Sequence, residues 1–239
     1  MRVNPQEVLA KDGVVLLETV WSENDLDPVR EEYDKVNASL SGTDNNTKEP
    51  LVVFWKHVIG EQKRTTGWSN TPKMQKHIKE KIVPIVADTF KLERLQLLEV
   101  IIFNKPPLTS NKLNWHQDVS YFPLRPNNQL AVWFPLEPVD ESSSAMQYAL
   151  GSHLAGPRGS TNLHTREPFE NEDRPLIPDD PSDDGFQVKT FNMTQMDMLV
   201  HDGYVWHQSG PNLKEGFTRR GVSVRFITDK VYFDPRPGQ

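Results

Sequence analysis

The sequence predicts a mainly-β protein with flanking helices, its strands forming a barrel or a double-sheet jelly roll with a cupin-like core. Three observations carry this. Helical spacing of apolar residues is confined to the part before Leu92. Beyond it the chain breaks into short β-rich runs separated by Pro, Gly, Asn and Asp, the rhythm of closed or two-layered β structures. Helices gathered early and strands late fit helices packed on the outside of a β core. At 239 residues the chain is read as one domain, 1–239.

The elements follow in order. Residues 13–17 (Gly-Val-Val-Leu-Leu) read as a short buried strand, and residues 22–40 as a helix capped by Ser22. Thr71-Pro72 gives an N-cap followed by proline at the first helical position. Behind it Met74, Ile78, Ile82, Ile85, Val86 and Phe90 recur at helical spacing and make one apolar face, with a kink expected at Pro84. The strand runs are 95–103, 130–136, 145–150, 186–191, 196–200 and 221–227. Residues 155–185 interrupt them with prolines at 157, 168, 175, 178 and 181 and a cluster of acids, Glu170, Glu172, Asp173, Asp179, Asp180, Asp183 and Asp184. This span reads as an insertion loop, solvated or serving as a lid, because long loops in compact domains are often functional.

Composition excludes several classes. The net charge of -6 gives no basic footprint for nucleic acid, although one local Arg or Lys can still serve an anionic substrate. With no cysteine, disulfides, thiolate nucleophiles, Fe–S clusters and Cys-based zinc sites are excluded together. The cysteine-free chain is compatible with the cytoplasm. Met1 to Glu7 lacks the apolar run of a signal peptide, and no stretch has the apolar length that spans a bilayer, so no membrane partner is expected.

The most informative motif is His116-Gln117-Asp118, with His207 far downstream. Residues two apart on an extended strand point to the same side, so His116 and Asp118 can share one ion. His207 sits near the end of a strand that barrel closure can bring opposite them. Two imidazoles and one carboxylate, with no sulfur and with open positions, are the facial triad of non-haem Fe(II) oxygenases. The other histidines fit less well. His57 and His77 fall in or near helical segments, and His153 and His164 at the edges of the long loop. His201-Asp202 lies on a strand-to-turn segment and suits a turn or a supporting role beside the ligands.

An anion site is expected past the last ligand. Along residues 219–226, Val222, Val224 and Phe226 alternate with Gly221, Ser223 and Arg225. Arg219 shares the parity of the polar face and Arg220 that of the apolar one, so Arg219 is expected to face the metal. A guanidinium there can hold the distal carboxylate of a chelating 2-oxo diacid. Both arginines can equally be surface charges at a strand end.

These residues fall into an ordered set: Asn104-Lys105-Pro106-Pro107, Trp115-His116-Gln117-Asp118, Tyr121 to Pro126, Trp133, Gly151-Ser152-His153, His207 to Asn212, Gly216-Phe217 and Arg219. The set resembles the phytanoyl-CoA dioxygenase family over roughly residues 95–230. The resemblance implies a double-stranded β-helix, Fe(II) and the cosubstrates 2-oxoglutarate and O2. It implies His116, Asp118 and His207 as iron ligands and Arg219 as the partner of the far carboxylate of 2-oxoglutarate. Lys105 and Trp133 match positions near the cosubstrate, although Lys105 can equally be a strand-end surface lysine and Trp133 a core aromatic. Tyr121 and Arg125 are candidates for substrate contact.

The implied activity is hydroxylation, or another oxidation such as oxidative cyclisation, of an unactivated C–H bond in a small-molecule metabolite of a biosynthetic pathway. Succinate and CO2 would be released. Asp118 implies oxidation without chlorination, since halogenases of related fold carry Ala or Gly there. The alternatives are acyl-CoA 2-hydroxylation of the phytanoyl-CoA type, a non-oxidative cupin-like metalloenzyme, and a non-catalytic jelly-roll binding module. For an acyl-CoA, Lys73, Lys76, Lys79 and Lys81 form a loose cluster that can also be the solvated face of a helix.

Overall fold

A computed structural model describes residues 4–41, 53–56, 71–110, 112–126, 128–228 and 231–233. Helix α1 (Pro5–Asp12) is capped by Asn4, whose side chain accepts from the Gln6 N–H at 3.1 Å. Gly13 ends it in the left-handed region (φ 76°), and a Cβ there would lie 2.6 Å from His153, so both backbone and packing call for glycine. The chain then enters strand β1 (Val14–Leu17).

The helix expected over 22–40 begins as a 3-10 turn, Glu23–Leu26, and becomes α2 (Asp27–Ser41) only afterwards. Ser22 still marks the start: Asp25 accepts from its N–H and its hydroxyl at 2.9 and 2.7 Å. The second helical stretch runs through α3 (Pro72–His77), a π-helical segment (Ile78–Ile82) and α4 (Val83–Phe90). The wide π turn directly precedes Pro84. A proline has no N–H for the carbonyl four residues back, and loosening the ladder there accommodates the loss. Buried Glu32 of α2 accepts from the free N–H groups of Lys73 and Met74 at 2.9 and 2.8 Å, tying the two helical stretches together.

The β core has two main layers. The larger sheet joins β1, β2 (Val53–Lys56), β3 (Gln96–Lys105), β6 (Gln129–Pro135), β9 (Met198–Asp202) and β11 (Arg219–Ile227) in the order β1-β9-β6-β11-β3-β2, every pair antiparallel. The smaller sheet is β4 (Leu113–His116), β10 (His207–Ser209), β7 (Met146–Ala149) and β8 (Val188–Thr190) in the order β4-β10-β7-β8. Strands β5 (Leu124–Arg125) and β12 (Tyr232–Phe233) make a separate pair.

Strand alternation sorts the core. Val132 and Phe134 of β6, with Val222, Val224 and Phe226 of β11, pack with Trp21, Leu26, Ile78 and Ile82 of the helical layer. The opposite parity, Trp133 of β6 and Leu199 of β9, packs with Met146 and Tyr148 of the smaller sheet. Arg219, Ser223 and Arg225 share that inner parity and are buried. Among the described residues no helix is long and apolar enough to cross a membrane. His57 lies outside the described residues.

Candidate metal centre and its two cavities

His116 and His207 are register partners across β4 and β10, with ring centroids 4.1 Å apart. His116 is the last residue of its strand and His207 the first of its own. Asp118 is not on the strand with His116, as the sequence suggested. It opens a 3-10 turn, Asp118–Tyr121. Gln117 keeps extended dihedrals (φ -112°, ψ 136°), so the two-residue alternation survives one step past the strand. The Asp118 Oδ1 atom lies 3.9 Å from His116 Nε2 and 3.7 Å from His207 Nε2. One donor atom from each residue lies within 4.8 Å of the others, and all three residues are buried.

The imidazoles are set for ligation. His116 Nδ1 lies 2.7 Å from the Asn114 carbonyl, and His207 Nδ1 lies 3.0 Å from that of Val205. A carbonyl only accepts, so each Nδ1 carries the proton and each Nε2 keeps its lone pair for the shared space. Burial holds both rings below the usual histidine range, that of His207 well below, and so favours the neutral, ligating form. Burial alone would raise the Asp118 carboxyl, but the Arg225 guanidinium, with the hydrogen bond from His201, outweighs it and holds the group well below the carboxylate range.

Asp118 is gripped from two sides. Arg225 Nη2 donates to Oδ1 at 2.7 Å, and Arg225 Nη1 donates to buried Glu99 at 2.6 Å. His201 Nε2 lies 3.3 Å from Oδ2, and its Nδ1 lies 3.1 Å from the Tyr148 hydroxyl. The carboxylate requires the proton on Nε2, so Tyr148 donates to Nδ1. The supporting role weighed for His201 therefore has a defined partner. Gln117 holds the adjoining loop: its amide donates to the Gly156 and Tyr204 carbonyls and accepts from the Arg158 N–H at 2.7 Å.

Two cavities adjoin this set. The first, a narrow space of about 20 Å³, is lined by His116, His207, Trp133, Ser209 and Arg219, among others. Arg219 is 1 % exposed and lies 4.7 Å over the Trp133 ring. A Cβ at Gly221 would sit 2.6 Å from that ring, so glycine is what lets the indole lie against β11. Among the described residues no carboxylate is within ion-pair distance of Arg219, and its Nε and the Trp133 Nε1 have no hydrogen-bond partner. Burial pushes the guanidinium down to about 9, which leaves it cationic at neutral pH. Arg220, one residue on, faces the other way and donates to Glu137 and Asp34.

Lys105 pairs with Arg219 in register. It is buried and is not among the residues lining the cavity. Its Nζ atom lies 2.9 Å from both the Ser144 and Ser209 hydroxyls and 2.6 Å from the Gly210 carbonyl, which accepts from it. Burial, and then the Arg219 cation, push it down to about 6. The second cavity, about 300 Å³, shares His116 and Arg225 with the first and adds Asp118, Tyr121 and Phe169. Arg125 lines neither cavity and donates to the Leu124 carbonyl.

The residues fit an Fe(II) ion and an anionic chelator. The donors are two neutral imidazoles and one carboxylate, and the cavity that both imidazoles line also holds a buried cation with no carboxylate within ion-pair distance among the described residues. Comparisons with known proteins agree. The bovine (Bos taurus) peroxisomal phytanoyl-CoA dioxygenase is 21 % identical over 93 % of this chain and 67 % of its own length. The structure of SnoK, an alpha-ketoglutarate-dependent carbocyclase from nogalamycin biosynthesis, aligns with a TM-score of 0.76 at 17 % identity, covering 99 % of this chain and 88 % of SnoK. The epimerase SnoN, solved with Fe3+, alpha ketoglutarate and nogalamycin RO, aligns at 0.71 and 17 % identity, over 97 % of this chain and 85 % of SnoN. The family model of phytanoyl-CoA dioxygenase (PhyH) matches residues 9–221, and the chain belongs to that family.

Proposed function

We propose that this protein is an Fe(II)- and 2-oxoglutarate-dependent dioxygenase that hydroxylates, or oxidatively cyclises, an unactivated C–H bond of a small-molecule metabolite in a biosynthetic pathway. The observation that carries this reading is Arg219. A buried guanidinium without a carboxylate partner is costly, and its cavity also holds two of the three metal-binding side chains. Iron(II) with bound 2-oxoglutarate and O2 supplies an oxidant able to break such a bond, with release of succinate and CO2.

The chain's own residues bind, orient and exclude water. His116, Asp118 and His207 would hold the iron, and Arg219 would pair with the far carboxylate of 2-oxoglutarate. Trp133 supports the guanidinium from one face. Lys105 anchors Ser209, one wall of the cavity. Asp118 fills the position that a halide would need, so oxidation without chlorination is expected. The cavities draw on both sheets and on residues 155–185, which supports one working domain with that span as an insertion. The biosynthetic setting is supported by the two solved relatives from nogalamycin biosynthesis. A cysteine-free chain is in keeping with the cytoplasm.

Anaerobic titration with Fe(II) and 2-oxoglutarate tests the reading. A weak visible charge-transfer band is expected, absent in His116→Ala, with succinate formed once air is admitted. No band and no succinate would favour a non-oxidative metalloenzyme or a binding module.

A further inference from the structure

The second cavity has a wall that metal chemistry does not require. Residues 161–168 fold back on themselves: Thr161 bridges Pro168, Asn162 N–H donates to the Glu167 carbonyl at 2.8 Å, and Arg166 N–H donates to the Asn162 carbonyl at 2.9 Å. This hairpin is strapped to the metal-binding strand. The Asn114 N–H and side-chain amide both donate to the Leu163 carbonyl at 2.9 Å, and the amide also reaches the His164 carbonyl at 3.0 Å. The Asn114 carbonyl in turn accepts from His116. The Tyr121 hydroxyl donates to the Thr161 carbonyl at 2.8 Å. One short strand thus fixes both a metal ligand and the wall facing it.

The wall is apolar and aromatic where it meets the cavity. Ile101, Tyr121, Phe122, Leu163 and Phe169 line it. Phe169 is 50 % exposed and meets Tyr121 edge-on, with centroids 6.2 Å apart. The charged groups in the lining are already engaged: Arg225 joins Glu99 to Asp118. Besides His116 and the Tyr121 hydroxyl, which is bonded to the Thr161 carbonyl, the polar side chains are Asn162 and His164. About 300 Å³ lies at the lower end of the roughly 300–1,000 Å³ of small-molecule sites. The phosphates of a coenzyme A thioester would need cations. None of the clustered lysines lines this cavity; Lys73, Lys76 and Lys81 face a separate one beside Asp25 and Glu80.

We infer that the substrate is an uncharged, ring-bearing, largely apolar small molecule held against Tyr121, Leu163 and Phe169, and that residues 161–169 are a fixed wall of its site. The inference rests on the oxygenase reading for the identity of the site as a substrate site. The test is calorimetric titration, under anaerobic conditions, of protein loaded with Fe(II) and 2-oxoglutarate. The probes are 1,8-dihydroxyanthraquinone, a neutral tricycle, and palmitoyl-CoA. The tricycle is expected to bind more tightly than the thioester. Phe169→Ala and Tyr121→Leu should each weaken it about 10-fold, since lost aromatic contact and buried area together approach the 1.4 kcal/mol of one decade. The charge-transfer band should persist in both variants.

Tighter binding of palmitoyl-CoA, no binding of the tricycle, or an affinity unmoved by Phe169→Ala would each overturn the inference. If the wild type shows no charge-transfer band, the oxygenase reading fails on its own account. The same titrations on metal-free protein then decide whether the aromatic wall still selects the tricycle.

Discussion

Replacing Arg219 by methionine separates two effects that act in opposite directions. In the protein without cosubstrate, the guanidinium is 1 % exposed and has no carboxylate partner among the described residues. Holding such an ion out of water costs several kcal/mol. Its contact over the Trp133 ring at 4.7 Å returns about 2 kcal/mol when desolvated. Methionine keeps much of the stem packing and removes the charge, so the variant should gain about 1–2 kcal/mol of stability. For a chain of this size that is a rise in Tm of roughly 2–8 °C. Cosubstrate binding should move the other way. Hydrogen bonds to a charged group contribute roughly 1.5–3 kcal/mol each, so a two-pronged contact amounts to about 3–6 kcal/mol. The Kd for 2-oxoglutarate should rise between about 100-fold and about 20,000-fold. The assays are thermal unfolding of metal-free protein and anaerobic titration of the charge-transfer band. Arg220→Met is the control: it breaks outward ion pairs to Glu137 and Asp34, so it should lower stability and leave cosubstrate affinity within about 2-fold. An Arg219→Met protein that is less stable than the wild type, and that binds 2-oxoglutarate within about 10-fold of it, would refute the assignment.

Three further outcomes follow from the same structure. Arg225→Met strands two buried carboxylates, Asp118 and Glu99, and should cost about 3–5 kcal/mol in urea unfolding; adding Glu99→Gln should restore part of it. Because Asp118 is held low, its contribution is present above about pH 4 and lost as pH falls through its folded value, so acid unfolding of Arg225→Met should begin at higher pH than in the wild type. Lys105 is pushed down to about 6, so between that value and its unfolded pKa near 10.4 the unfolded chain binds the extra proton and stability rises with pH. Lys105→Met should lack that rise, by up to about 1.4 kcal/mol per pH unit, and parallel stability curves would count against a depressed lysine. Gln117→Leu removes the amide that holds Gly156, Tyr204 and Arg158, and limited proteolysis within 155–185 should speed up several-fold.

Strand parity was the most legible part of the site. It set Arg219 on the polar face and Arg220 on the apolar one, because a two-residue period puts neighbours on opposite sides; that Arg219 is buried and not a surface charge at the strand end is seen only in the fold. His116, Asp118 and His207 stood out by residue type and order, and the cysteine-free composition removed competing chemistries. The 3-10 turn that carries Asp118 was not legible. Its position depends on Val119 N–H reaching the Gly203 carbonyl, a contact between distant segments. The same holds for Asn114 and Gln117, whose amides act on carbonyls of the insertion. An Asn or Gln beside a strand end has no spacing signature. Arg225 was visible as a member of the polar face, and His201 as half of a His-Asp pair. What neither pattern could supply was that both converge on Asp118. Residues 155–185 were legible only as a break in rhythm, since the backbone carbonyls by which Asn114 and Tyr121 hold them leave no trace in side-chain type.

The pairing of His116 with His207 across β4 and β10 also sets an order of assembly. During synthesis His116 and Asp118 emerge long before His207, Arg219 and Arg225. A chain that has reached residue 200 holds one imidazole and one carboxylate, with neither the second histidine nor the arginine that keeps Asp118 ionised. Two partners are missing, and a two-ligand fragment has little hold on iron in competition with other cellular ligands. Docking of β10 and β11 brings His207, Arg219 and Arg225 to the candidate metal site together, so a competent site would form only in the last steps of folding. A chain truncated before residue 207 should therefore hold neither iron nor 2-oxoglutarate tightly.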